Sequence, residues 1–222
     1  MSKVNKPQVN ELYGTRFIKL YELAYEDGYR YFEASRREQD SLLATKDQDE
    51  LTNSLADAVS ACLIVQVPGE EPRMVLNYEY RYPTGQYVLG IPSGLVDARD
   101  HGEQSPLITA MAREIAEETG VHLRESDRIW VVNPLLFCSP GLTDESTALL
   151  CAVANLDDLS TLSHAGAEGS EQFGSFELLT KAEALQVLAT GRDPHGNYYP
   201  LVAWAALAYF ATDLWKTAAD QA

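Results

Sequence analysis

The chain has 222 residues, 45% of them hydrophobic, and its 17 Lys and Arg against 33 Asp and Glu give a formal net charge of −16. That is enough for one sizeable buried core with room for a smaller appendage, while the acidity argues against a broad nucleic-acid or anionic-membrane footprint, since both need basic patches. No apolar run reaches membrane-spanning length, and Met1–Lys6 lacks a signal-peptide apolar region.

Residues 1–12 are polar and are expected to be loosely held. Phe17–Tyr25 alternates in part and is aromatic-rich, Glu26-Asp27-Gly28 is a turn, and Tyr29–Ser35 is the hairpin partner. This ribbon reads as a packed or dimer-contacting surface, with base stacking by one of its aromatics as the sharper alternative. Arg36–Ala56 is charged and without period, so it serves as a linker between an N-terminal hairpin region, 1–56, and a main domain, 57–222. Ala58–Val67 and Arg73–Tyr80, joined by a turn at Pro68–Pro72, form a second hairpin. Gly and Pro punctuate Arg81–Gly94, which predicts tight turns. Ala98–Gln104 is a charged loop.

A helix opens at Ser105-Pro106, with Ser as N-cap and Pro in the first turn, and runs to about Thr119 before Gly120 ends it. Ile129–Asn133 and Leu135–Cys138 are strand-like and separated by Pro134. A loop, Ser139–Glu145, leads to a strand at Ser146–Ala154. Asn155–Ser170 is polar, and Phe173–Leu179 is the last strand. Thr180-Lys-Ala-Glu183 is a capping box for a helix that Gly191 stops, and Pro200–Lys216 is a long apolar helix. Strands and helices mix without regular βαβ alternation, which predicts an α+β layered domain. Cys62, Cys138 and Cys151 are odd in number and sit in apolar or β-like contexts, so they are expected to be buried free thiols in a reducing, cytoplasmic setting.

The helix at 105–119 carries the chemistry. Glu114, Glu117 and Glu118 stand at i, i+3 and i+4, so they project from nearly one face and repel one another. A hard divalent cation prefers such carboxylate oxygens and would relieve the repulsion. Ile108, Met111 and Ile115 form a separate apolar stripe that docks the helix on a core. Glu117-Glu118 alone reads as a solvated face. The full string, Arg113-Glu-Ile-Ala-Glu-Glu-Thr-Gly-Val121, resembles the second half of the Nudix box, G-x5-E-x7-R-E-U-x-E-E-x-G-U, at every fixed position.

Beyond the box, Tyr80–Asp97 and Ser139–Glu145 are similar to segments of the ADP-ribose and nucleoside-diphosphate-sugar pyrophosphatase branch of Nudix hydrolases. The resemblance implies an α/β/α sandwich with mixed sheets and an N-terminal β-hairpin appendage. It also implies a homodimer that uses Mg²⁺ or Mn²⁺ to hydrolyse the diphosphate of a small nucleotide, with ADP-ribose or a related nucleotide sugar as the expected substrate. Carried over by residue, Glu114, Glu117, Glu118 and the Ser93 carbonyl would bind metal, and Arg113 would orient the glutamates. Arg81 would contact the diphosphate and Glu145 would lie near the substrate. A loop glutamate, Glu171 in preference to Glu168, would be the catalytic base. For Arg81, Glu145, Glu168 and Glu171 the plain alternative is a surface residue.

The chain also departs from the pattern. Gly94 and Glu114 are 20 positions apart where the family has 15, which puts an insertion in Ala98–Gln104. Ser105 occupies the first consensus glutamate position, with Glu103 the nearest acid able to stand in, and Gly90 replaces a family glutamate. The competing reading is a catalytically silent Nudix-fold module that binds a nucleotide or sugar for regulation. The intact Arg113, Glu114, Glu117 and Glu118 favour catalysis, because a binder needs no such charge density.

Overall fold

The strand Ala58–Gln66 (β4) is buried at every residue from Val59 to Val65. Such a strand has no solvent face and must be covered on both sides. In the computed structural model, which describes residues 4, 8–26, 28–97, 99–166 and 172–218, two helices pack on it: α2 (Pro106–Thr119) and α4 (Leu201–Ala211). The main sheet has seven strands. Its path runs β10 (Phe173–Thr180), β5 (Arg73–Arg81), β4, β9 (Ser146–Asn155), β8 (Arg128–Phe137), with β6 (Gln86–Gly90) paired to β5 and β7 (Ser93–Leu95) paired to β4. The protein is thus a mixed α+β fold with a helix-covered main sheet and a separate N-terminal antiparallel sheet.

The chain divides into two compact units: residues 1–57 with 135–147, and residues 58–134 with 148–222. The first contains a three-stranded sheet, β1 (Val9–Gly14), β2 (Lys19–Glu26) and β3 (Tyr29–Ser35). Val9, Tyr21, Leu23 and Leu42 form its core. Asp144 ties this unit together by accepting hydrogen bonds from Ser35 Oγ (2.6 Å) and the Leu43 amide (3.2 Å), and by an ion pair with Arg37 (3.3 Å). The linker holds two short 3-10 turns, Gln39–Ser41 and Leu43–Thr45, and a short helix, α1 (Gln48–Thr52), which a capping box between Asp47 and Glu50 opens.

Several expectations are corrected. Val9–Gly14 is a strand rather than part of a loose terminus, because β2 offers it an antiparallel edge. The Gly- and Pro-rich stretch makes the expected tight turn at Arg81–Gly85, joining β5 to β6, but then also forms two short strands, β6 and β7. Pro134 does not interrupt β8, because that strand ends the sheet path and an edge strand tolerates the missing donor. The C-terminal helix is two helices, α4 and α5 (Leu214–Ala218), separated at Asp213, whose φ is +60°. Lys181 (2.6 Å) and Lys216 (3.0 Å) pair with the Asp213 carboxylate there. Cys138 is exposed, whereas Cys62 and Cys151 are buried free thiols. A hydrogen bond to Cys151, together with burial, pushes the Cys62 thiol well up.

Thr180 caps α3 (Lys181–Thr190) as the capping box requires, and Gly191 ends it in the left-handed conformation. Ser105 stands at the N-cap of α2 but its side chain makes no capping bond, so Pro106 in the first turn is the start signal the structure uses.

Candidate active site

Helix α2 docks through Ala110, Met111 and Ile115, all fully buried. That docking turns Glu114 and Glu118 inward, where they are 7% and 3% exposed. Both meet the backbone of β7. The Ser93 amide donates to Glu118 Oε1 (3.3 Å), and Asn77 Nδ2 of β5 donates to Glu118 Oε2 (2.9 Å). Glu114 lies against Gly94 so closely that a Cβ there would overlap its carboxylate. Glycine at 94 thus leaves space for the Glu114 carboxylate in its present position and does not serve a special backbone conformation.

Arg113 spans the acidic set. Its Nη1 donates to Glu114 (2.5 Å) and reaches Glu117 (3.4 Å), while its Nη2 donates to the Leu95 carbonyl and to Asp100, both at 3.2 Å. Partial burial works against its charge, but Glu114 and Asp100 outweigh that and raise the guanidinium pKa above its ordinary value. Asp97 lies 3.6 Å away. The arginine is thus a fixed cation that aligns carboxylates on two sides.

The insertion contributes directly to this arrangement. Asp100, in a short 3-10 turn (Asp100–Gly102), is 3% exposed and also accepts from the Asp97 amide (2.8 Å). It is Asp100, and not the exposed Glu103, that reaches Arg113.

Comparison with known proteins bears on this arrangement. No protein-family model matches the chain. It is 32% identical to a putative nudix hydrolase 2 of Caenorhabditis elegans over 60% of this chain and 51% of that protein. It is 28% identical to an ADP-sugar pyrophosphatase of Mus musculus (63% of this chain, 61% of that one) and 29% identical to an ADP-ribose pyrophosphatase of Saccharomyces cerevisiae (68% and 58%). The chain therefore spans between 51% and 61% of the length of these relatives. A crystal structure described as an ADP compounds hydrolase aligns with a TM-score of 0.58 at 19% identity, over 96% of this chain and 94% of that one, a likeness of fold. In sequence and in fold the chain is thus similar to Nudix hydrolases.

The Nudix helix is α2, and its donor set is chemically suited to a hard divalent cation. Two buried carboxylates flank the Ser93–Gly94 backbone, and the absent Cβ of Gly94 leaves the room that Glu114 fills. Among the described residues no three His, Cys, Asp or Glu side chains converge as a ready-made metal cluster. The third glutamate, Glu117, has a 30% exposed side chain and lies beside Arg113.

A cleft of about 460 Å³ adjoins this helix through Ser93. Arg81, Glu79 and Gly90 line it, with Tyr198 and Tyr199 from the segment before α4. Arg81 and Ser93 are thus in one cleft, where Arg81 pairs with Glu79 at 2.5 Å. Gly90 is paired in register with Asn77, and a Cβ there would come within 3.2 Å of the Asn77 amide oxygen. Glu145 belongs to the first unit, where Arg36 holds it at 2.7 Å. Glu168 and Glu171 lie outside the described residues.

Sequence reasoning missed Asn77 and Asp100, while His164, which has no metal-ligand spacing in the sequence, is a structural histidine. Asn77 is the one polar residue within an otherwise apolar or aromatic run of β5, which is a usable signal. Asp100 was hidden in the insertion. His164 binds the Glu118 carbonyl through Nδ1 (2.7 Å) and stacks on Phe173 and Phe176, fastening the chain to the end of the Nudix helix. Burial lowers its pKa, more than the Glu118 carbonyl raises it.

Proposed function

We propose that this Nudix protein hydrolyses the diphosphate bond of a nucleoside diphosphate linked to a second moiety, with ADP-ribose or a related nucleotide sugar as substrate. The observation that carries the reading is the pair of buried carboxylates, Glu114 and Glu118, set against β7 at the edge of a ligand-sized cleft that contains Arg81. The names of the mouse and yeast relatives support the substrate class.

Glu114, Glu117, Glu118 and the Ser93 carbonyl would hold Mg²⁺ or Mn²⁺. Such a cation, when bound, neutralises charge on phosphoryl oxygens and acidifies a water. Arg113 keeps the glutamates aligned before substrate arrives, so little reorganisation is left for the reaction. Arg81 offers the diphosphate a planar fork of donors. Glu171, with Glu168 as the alternative, takes the water's proton. Glu145 contributes near the substrate. A homodimer in a reducing, cytoplasmic setting belongs to the same reading. It is supported by Tyr13, Phe17, Tyr29 and Phe32 of the first unit, each more than half exposed, and by the free thiols.

The test is phosphate-containing product release from ADP-ribose, nucleoside diphosphate sugars, dinucleotides and nucleoside triphosphates, each with Mg²⁺, with Mn²⁺ and with chelator. Metal-dependent cleavage of a nucleotide sugar is expected. Glu118→Gln should stay folded and lose more than the roughly 10–100-fold typical of a group that only supports a ligand. Unchanged turnover in that variant would overturn the role given to Glu118, and tight binding without cleavage of any compound would favour the silent module.

A further inference from the structure

The cleft beside the Nudix helix has an aromatic wall that the resemblance does not account for. Tyr198 lines it and is 67% exposed, so its ring is not there to fill the core. The Arg192 guanidinium sits 3.4 Å from the centre of that ring. Arg192 does not line the cleft. It lines a separate hollow with Glu177 and Asp193. The guanidinium covers one face of the ring, while Tyr198 stays 67% exposed and lines the cleft. An arginine stacked in this way fixes the orientation of an otherwise mobile exposed tyrosine.

Tyr199 and Pro200 follow directly. Pro200 precedes α4, and both residues line the same cleft, so the Tyr198 backbone is anchored to a helix that packs on β4. Val88 and Ile91 supply apolar surface, and Arg81 supplies charge. One cleft thus combines a cation for phosphate with a backed, flat, exposed ring. A ligand with a phosphate group and a planar ring satisfies both.

We propose that Tyr198, backed by Arg192, is the platform on which the planar base of a nucleotide substrate stacks, so that specificity for a base-bearing diphosphate resides in this segment. The inference rests on the hydrolase reading for the substrate class, but its test does not depend on turnover alone. Tyr198→Ala and Tyr198→Phe would be compared with wild type in two ways: titration calorimetry with AMP and with ribose 5-phosphate, and KM and kcat for ADP-ribose. Tyr198→Ala is expected to weaken AMP binding and raise KM roughly 5- to 150-fold, the range spanned by base–aromatic stacking. Ribose 5-phosphate binding and kcat should barely move, and Tyr198→Phe should restore wild-type behaviour. Equal weakening of AMP and ribose 5-phosphate, or no weakening of AMP, would overturn the platform while leaving the hydrolase reading intact. If wild type cleaves nothing but binds AMP in a Tyr198-dependent way, the hydrolase reading fails and the platform stands. If wild type binds neither nucleotide nor sugar phosphate, the platform is overturned as well.

Discussion

At the scale of single residues, two glycines of the site carry opposite expectations. A Cβ at Gly94 would overlap the Glu114 carboxylate, whereas a Cβ at Gly90 would come within 3.2 Å of the Asn77 amide oxygen. The obstacle at 94 is the far end of a flexible side chain, so Gly94→Ala should fold normally while Glu114 swings away. On the proposed hydrolase reading, displacing Glu114 by about an ångström can cost on the order of 100-fold in rate, and a loss of that size with little change in Tm is expected. Gly90→Ala asks Asn77 to give by only a few tenths of an ångström, so its effect on turnover should be small by comparison. Steady-state kinetics and thermal melts on both variants check this, and equal activities would mean that Glu114 does not need its present position. Arg113 follows the same logic. Its charge is held by carboxylates from α2 and from the inserted turn together, so Asp100→Asn should lower turnover although Asp100 lies in the segment where the chain departs from its family.

At the scale of elements, what could be read in the sequence was what is encoded locally. The Nudix helix, its Gly120 stop and the Thr180–Glu183 capping box all depend on residues within a few positions of one another, and all three were legible. The bond from Asn77 to Glu118 joins residues 41 apart, and only the fold brings them together. Likewise the break at Asp213 has no Gly or Pro to announce it. Lys181 from α3 and Lys216 from α5 hold Asp213 in a conformation an isolated chain would avoid. β1 was missed because its exposed, polar pattern has meaning only beside β2. The local device also makes the cleaner prediction. Thr180 Oγ1 accepts from the Glu183 amide, and Glu183 Oε2 accepts from the Thr180 amide at 2.8 Å. Thr180→Ala should cost about 1 kcal/mol of stability in urea titrations. It should leave KM unchanged, because α3 contributes nothing to the cleft that contains Arg81.

At the scale of the whole molecule, a net charge of −16 makes pH the natural lever on stability. Asp127, Asp158, Glu183 and Asp213 are held below the ordinary carboxylate pKa and favour the folded state when ionised, but Glu33 of β3 is shifted the other way. It is 6% exposed, its Oε1 has no hydrogen-bond partner, and burial together with the nearby Asp144 pushes its pKa from 4.5 to about 7. A carboxyl with a raised folded pKa binds its proton more tightly in the folded chain than in the unfolded one. Its favourable contribution is therefore complete below pH 4.5, declines as pH rises, and is gone above about pH 7. Glu33→Gln keeps the neutral shape at every pH. It should melt at nearly the wild-type temperature at pH 4.5 and be more stable than wild type at pH 8, by on the order of 1–3 kcal/mol. Because both proteins share every other titrating group, the difference between their melting curves isolates this one carboxyl. A difference that stays constant from pH 4.5 to pH 8 would mean that Glu33 is ionised in the folded protein across that whole range, and that Asp144 does not press on it as the geometry of the first unit implies.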